Sequence, residues 1–339
     1  MTESLAFDRL ESYRRELTRY CYRMLASPHD AEDAVQDTLM RAWRGLDRFD
    51  EGLGGVRPWL YRIATNVCLD MLKGRQRRAL PVELGPPGDG GSAMGDARPE
   101  ATWVRPIPDA LLADDDADPA AVAIGHETVR LAFIAALQHL APRQRAVLIL
   151  RDVLSWHARE VARLLDASED AVNGALKRAR ATLASAHPSA GPPPTTPAHP
   201  GVDRALLDRY VDAFERYDVD ALVALLREDA IIAMPPFELW LRGRADIRMF
   251  LAAMRDEGGH DRVLPIHAND CPAVAVYRPS SAGVPEPYAI MVLEIADGAI
   301  AAIYAFLDTS LFSAFGLPAD RLPADGLPAG DQFPPPTRL

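Results

Sequence analysis

Residues 136–183 read ALQHLAPRQRAVLILRDVLSWHAREVARLLDASEDAVNGALKRARATL, and their reading decides the fold of this part of the chain. The spacing predicts a short helix over 156–165, with Val161, Leu164 and Leu165 on one face. Asp166 and Ala167 make the turn. Ser168 is a good N-cap, because its hydroxyl can accept a hydrogen bond from an N–H that the next helix leaves unpaired. The second helix is expected from about 169 to about 183, with Ala171, Val172, Ala175, Leu176, Ala179 and Leu183 at helical spacing. Its other face carries Asn173, Lys177, Arg178 and Arg180. A short helix, a tight turn and a second helix with one polar, basic face is the geometry that enters a DNA major groove. A plain helical hairpin with a solvated basic face satisfies the same residues, so the rest of the chain must choose.

Upstream, residues 5–25 are expected as a helix that Ser27-Pro28-His29-Asp30 breaks. A second helix, capped by Asp30 or a neighbour, runs to Trp43 and buries Val35, Leu39, Ala42 and Trp43. Gly45, Gly52, Gly54 and Gly55 mark a loop. Pro58 suits the first turn of a third helix over 59–75, with Leu60, Ile63, Ala64, Val67 and Leu72 inward. Residues 79–126 are rich in Pro, Gly and acid and read as a mostly extended linker. Inside it, WVRPIPD (103–109) is an apolar island, and exposed apolar surface of that kind needs a docking partner. Residues 187–200 form a second, Pro-rich and stiff linker. From 201 to 317 helices come first, with Leu206, Tyr210, Val211 and Phe214 as one stripe, a helix capped by Asp218, and a third over 245–257. Strands are expected at 230–234, 263–267, 273–277, 288–295 and 299–307, with Asp297-Gly298 as a hairpin turn. That order is α+β with antiparallel strands. The tail 318–339 is Pro/Gly-rich and reads as disordered.

The chain has 339 residues, enough for two or three domains. No apolar run reaches the roughly 20 residues that span a bilayer, and the first ten residues lack a signal-peptide core. Cys21, Cys68 and Cys271 are odd in number and scattered, which argues against a disulfide framework or a zinc site and suits a reducing cytoplasm. The formal net charge of −11 looks wrong for a DNA binder. Charge is read locally, however. Between 57 and 78, Arg57, Arg62, Lys73, Arg75, Arg77 and Arg78 face Asp70 alone. The acid sits mainly in the linker and the C-terminal part.

Two blocks carry a more specific signal: DAEDAVQDTLMRAWRGLDRFD (30–50) with RPWLYRIATNVCLDMLKGRQRR (57–78), and PRQRAVLILRDVL leading into the helix-turn-helix. The first resembles region 2 and the second region 4 of the sigma-70-family sigma factors, in the extracytoplasmic-function branch. Residues 202–317 resemble the SnoaL-like α+β domains that some actinobacterial sigma factors carry in place of a separate anti-sigma protein. The resemblance implies two all-α sigma domains, 1–78 and 127–186, joined by the acidic linker 79–126, and a cone-shaped SnoaL-like domain at 201–317.

It implies core RNA polymerase and promoter DNA as partners. Asp33, Gln36 and Asp37, on one helix face, match the surface that docks the β′ clamp helices, and region 4 would meet the β flap. Asn66 matches a residue that holds a base flipped out of the −10 element. Such a base needs a donor-acceptor side chain at its edge and a pocket that replaces its stacking. Phe49 supplies an aromatic wall in that reading, or a core anchor in the plainer one. Arg57, Arg62, Arg75, Arg77 and Arg78 are the expected phosphate contacts, which position without specifying. For the −35 element the expected residues are Ser168, Glu169, Asn173 and Lys177, with Arg178 and Arg180 on phosphate. Glu169 equally suits a helix N-terminus.

A pocket in the C-terminal domain would be lined by Tyr210, Phe214, Met234, Trp240, His267 and Tyr304, with Met254, Asn269 and Phe306 nearby, and offers room for a small-molecule ligand. An intramolecular contact between this domain and the sigma regions is expected to regulate activity in cis. No catalytic residue, metal or cofactor is assigned. Two rivals stay open: a ligand-responsive one-component helix-turn-helix transcription factor, and a cyclase- or isomerase-type enzyme in which His267 and Asp308 form an acid–base pair.

Overall fold

The computed structural model describes residues 9–49, 55–112, 128–186, 200–254 and 261–322. Of the tail expected to be disordered, residues 318–322 are described and bonded, Pro318 O accepting from the Tyr277 hydroxyl and Leu322 N–H donating to Pro285 O, both at 3.0 Å; residues 323–339 lie outside the described ones, as does most of the linker 187–200. The chain divides into two compact units. One comprises Met1–Arg78, Val104–Pro106 and Leu111–Pro193; the other comprises Ala79–Trp103, Ile107–Ala110 and Pro194–Leu339.

The first unit is helical. Its elements are α1 (Arg14–Leu25), α2 (Pro28–Gly45), α3 (Val56–Met71), α4 (Leu131–Gln138), α5 (Pro142–Leu148), α6 (Ala158–Leu165) and α7 (Glu169–Ala186). Ala26 ends α1 in the left-handed conformation, and Ser27 caps α2 by accepting from the Asp30 N–H at 3.3 Å. Pro28 sits in the first turn of α2, where its missing N–H removes no helical bond. The core is built from Leu17, Tyr20, Leu25, Val35, Leu60 and Ala64, all fully or almost fully buried. Thr65 is buried among them and hydrogen-bonds Tyr20 at 2.7 Å, so the polar group is satisfied inside the core. Trp43 corrects the sequence expectation. It is 38% exposed, because α2 turns Ala31, Ala34, Thr38 and Ala42 inward and leaves Met40 and Trp43 on the opposite side.

A one-turn π segment, Ile149–Val153, separates α5 from α6. Within this unit α1–α3 and α4–α7 pack together. Arg145 of α5 is buried and donates to the backbone carbonyl of Met24 in α1 and to Gln138 Oε1 at 2.6 Å. Burial pulls its guanidinium down to about 10, which leaves it charged at neutral pH. Trp156 enters from the other side, its ring 5.0 Å from that of Tyr61 on α3.

The apolar island finds its partners within the chain. Trp103, Val104, Arg105 and Ile107 are all nearly inaccessible. Arg105 is held in the helical unit, its N–H on Ala26 O at 3.0 Å and its carbonyl accepting from the Tyr22 hydroxyl at 2.8 Å. Ile107 belongs to the second unit, where its N–H donates to Asn269 Oδ1 at 2.9 Å. The expected extended linker is thus a docked segment over its described part, 79–112.

The second unit is α+β. Its elements are α8 (Pro200–Glu215), α9 (Val219–Ala224), β1 (Leu226–Ala233), β2 (Trp240–Arg242), α10 (Arg244–Met254), β3 (Arg262–Ala268), β4 (Cys271–Pro279), β5 (Pro285–Ala296), β6 (Ala299–Phe306) and α11 (Leu311–Ala314). Six strands form one sheet in the order β2-β1-β6-β5-β4-β3. Asp218 caps α9, accepting from Ala221 N–H at 2.9 Å. Asp297 and Gly298, both at positive φ, make the β5–β6 turn. The sheet departs from the antiparallel expectation at one place: β1 pairs parallel with β6. The long chain between them permits the crossover a parallel pair needs. The short edge strand β2 was not legible, since three residues cannot display alternation.

Candidate nucleic-acid interface

On α3, Arg62 and Asn66 are exposed one helical turn apart. Phe49 stacks on Trp59 with ring centroids 4.6 Å apart, so the aromatic wall is a pair. Arg57 is ion-paired with Glu16 and lies 5.5 Å from the ring centres of both Tyr61 and Trp156. Tyr61 is fully buried and donates to Glu16 Oε1 at 2.9 Å; burial above all, then the Glu16 charge, raises its phenol far above the ordinary range. It is a packing residue. Arg75 and Arg78 converge on Asp30, at 2.8 and 2.9 Å. The Arg78 side chain is only 11% exposed, so the structure uses it to brace α2 and does not present it as a phosphate contact. Arg77 stands against the His139 ring, with Nη1 3.0 Å from Nδ1.

Ser168, just before α7, and Glu169, Asn173, Lys177, Arg178 and Arg180 on it are all exposed, while Val172, Leu176 and Ala179 are buried. The Ser168 hydroxyl accepts from the Ala171 N–H at 3.1 Å, the expected cap. Arg180 forms a two-point bond to Asp152 at 2.7 and 2.9 Å, which sequence reasoning missed because Asp152 lies beyond the intervening helix. On α2, Asp33 and Gln36 are exposed and Asp37 is paired with Arg41 at 2.8 Å; Met40 and Trp43 extend the same side with apolar surface.

The second unit contains a largely apolar cavity. Phe214 and Met234, expected in its lining, are there, and so is Met254. The other expected residues are placed elsewhere. Tyr210 is core and donates to Met291 Sδ at 3.6 Å. The Trp240 indole N–H donates to Gly85 O at 3.0 Å, turning the ring to the docked segment. His267 is exposed on β3, and Tyr304 and Phe306 are buried without lining the cavity. Asn269 holds Ile107. Strand alternation explains the error: residues of one strand point to opposite faces, and only one face of this sheet bears the cavity. Missed were Arg278, Tyr288, Met291 and, from the docked segment, Met94. The described lining holds no carboxylate and no imidazole, and so no His267–Asp308 pair. Among the described residues no cluster of metal-ligating side chains occurs, and no helix is long and apolar enough to cross a membrane.

Residues 10–78 match the family Sigma-70 region 2, residues 130–183 match Sigma-70, region 4, and residues 207–303 match the SnoaL-like domain. The chain is 46% identical over 310 residues to the ECF RNA polymerase sigma factor SigG of Mycobacterium tuberculosis, covering 91% of this chain and 82% of SigG. SigJ of the same organism is 29% identical over 220 residues, covering 65% of this chain and 61% of SigJ. The crystal structure of Mycobacterium tuberculosis SigJ superposes with a TM-score of 0.59 at 21% identity, covering 91% of this chain and 98% of that one, which supports the fold. With both sigma regions in order and this likeness running through nearly the whole sequence, the chain belongs to the extracytoplasmic-function RNA polymerase sigma factors and acts in promoter-directed transcription initiation, carrying a C-terminal SnoaL-like domain.

Proposed function

We propose that two separate faces of this sigma factor read the promoter. Asn66, with Arg62 beside it and the Phe49–Trp59 pair nearby, takes the −10 element, and Glu169, Asn173 and Lys177 take the −35 element. The observation that carries this reading is the exposure of Glu169, Asn173, Lys177, Arg178 and Arg180 on a helix whose opposite face is buried, so the polar side is presented and not consumed by packing. Arg57, Arg75, Arg77, Arg178 and Arg180 stand at the edges of these faces. Phosphate would compete with their present carboxylate or imidazole neighbours, where they have them. The α2 side with Asp33, Gln36 and Asp37 docks the β′ clamp helices, and region 4 meets the β flap. Working with core polymerase places the protein in the cytoplasm. The test is competition binding of the holoenzyme to wild-type and scrambled −35 sites. Asn173→Ala and Lys177→Ala are expected to reduce the preference for the wild-type site; an unchanged preference in both variants rejects the α7 assignment.

The packing of region 4 on region 2 belongs to the state without polymerase. Trp156 covers Arg57 and Tyr61, and Arg145 ties α5 to α1. Reading two promoter elements on separate turns of a duplex requires the regions to part, so polymerase acts by favouring the parted state. The SnoaL-like domain regulates that equilibrium in cis, because it holds residues 79–103, the chain that leaves region 2.

A further inference from the structure

The segment that leaves region 2 is built into the wall of the cavity. Residues 85–98 run along the edge strand β2 and the start of α10. Gly88 N–H donates to Trp240 O at 2.8 Å, Gly90 N–H to Asp246 Oδ1 at 3.1 Å, and Arg98 N–H to Pro236 O at 2.9 Å. At Gly90 the approach is close enough to demand glycine, whereas at Gly88 a Cβ would meet only side-chain atoms of Leu239 and Ser92. A Cβ on Gly88 would lie 2.7 Å from Leu239, and one on Gly90 would lie 2.5 Å from the Asp246 backbone oxygen. Between these anchors, among the described residues, no hydrogen bond ties 93–97. Met94 sits in that untied stretch, half-buried, and lines the cavity. It is a flexible, unbranched side chain in the wall of an apolar void.

The void has a recognisable chemistry. Met234, Met291, Phe214 and Phe250 give a polarisable, adaptable surface that suits planar rings. Among the described lining residues one cation reaches it. The Arg278 guanidinium lies over the Tyr288 ring at 3.6 Å and meets its carboxylate partner, Asp261, only at 3.3 and 3.4 Å. A planar guanidinium in that position recognises an acidic group.

We propose that this cavity binds an aromatic, lipophilic molecule bearing one acidic group, and that Met94 is the gate through which occupancy loosens residues 85–98. The proposal rests on the cis-regulatory reading of the SnoaL-like domain and names its signal. A ligand that fills the cavity takes the space of the Met94 side chain. The loop 93–97 yields first, and the Gly90 and Gly88 bonds behind it become less persistent. Residue 79 follows Arg78 directly and Arg105 is bonded to Ala26, so a loosened segment changes the tether of region 2 at both ends.

The test uses the full chain with two fluorescent probes, anilinonaphthalene sulfonate, which is aromatic and anionic, and neutral phenylnaphthylamine. Thermal unfolding of each variant first establishes that it is folded. Met94→Ala removes the competing side chain and is expected to tighten both probes about fivefold, while Met94→Trp fills the space and weakens them. Arg278→Gln is expected to weaken the anionic probe about tenfold and leave the neutral one unchanged. Saturating probe should speed hydrogen exchange at the Gly88 and Gly90 amides about tenfold. Unchanged affinity in both Met94 variants, or unchanged exchange at the two glycines, overturns the gate. Equal loss of both probes in Arg278→Gln overturns the acidic-group assignment. Promoter-directed transcription with core polymerase, measured without probe, tests the underlying sigma assignment separately: its failure with binding intact indicts that reading and not the cavity.

Discussion

Asn66 and Arg62 show how a residue's role depends on what its helix does with the neighbours. Thr65, next in sequence to Asn66, is buried against Tyr20, and Tyr61, next to Arg62, is buried against Trp156. The alternation fixes α3 rigidly and aims the two polar side chains outward. Asn66→Ala is therefore expected to leave the fold and initial promoter binding intact but to impair melting. Permanganate footprinting of the holoenzyme shows the bubble, and wild-type opening in the variant would sink the assignment. On α7, loss of one base contact through Asn173→Ala is expected to cost about 1–3 kcal/mol at the wild-type site only. Loss of a phosphate contact through Arg178→Ala should weaken all sequences alike and flatten the salt dependence. Titration of the holoenzyme with both sites at two salt concentrations separates these outcomes.

At the scale of the element, caps and close approaches do the placing. Ser168 starts α7, and the left-handed Asp166 sets its angle to α6. Ser168→Ala is expected to destabilise region 4 by about 1 kcal/mol. Calorimetric unfolding measures that loss, and an unchanged unfolding temperature would mean that tertiary packing alone holds the helix start. In the second unit the corresponding device is Gly90. Gly90→Val puts a branched side chain where a Cβ already meets backbone at 2.5 Å. Residues 85–98 are expected to leave the β2 edge, with proteolytic nicking there while the SnoaL-like domain stays folded. A protected segment in this variant would refute the packing described for Gly90.

For the molecule as a whole, the decisive packing in the helical unit is that of region 4 on region 2. Arg145 is a buried cation whose two Nη atoms donate to the Met24 carbonyl of α1, to the Gln138 amide at the end of α4 and to the Leu140 carbonyl of the α4–α5 connection, while its Nε has no partner among the described residues. Trp156 fills the other contact. Trp156→Ala removes a buried aromatic ring and is expected to cost about 3–5 kcal/mol of this packing. The result should be faster hydrogen exchange across α6 and tighter association with core polymerase, because the packed state no longer competes. Slower or unaltered association would show that the packing does not oppose polymerase.

The sequence by itself determined the local and periodic parts. The helix-turn-helix with its Ser168 cap, the buried faces of α3 and most of α7, the Asp218 cap, the Asp297-Gly298 turn and most strands were legible, since each depends on residues within a few positions of one another. So were the two sigma blocks, whose motifs are contiguous. Only the tertiary structure decided which arginines are spoken for. Arg78 and Asp30, or Arg180 and Asp152, lie 48 and 28 residues apart, and nothing in local spacing couples them. The same holds for the cavity. Its wall draws on three helices, several strands and Met94, while Tyr304 and Trp240, apolar and well placed in sequence, point elsewhere. The apolar island at 103–109 announced that it needed a partner, but a burial demand is non-directional. Which surface met it was settled by the folded chain, where Arg105 and Ile107 found complementary carbonyl and amide groups.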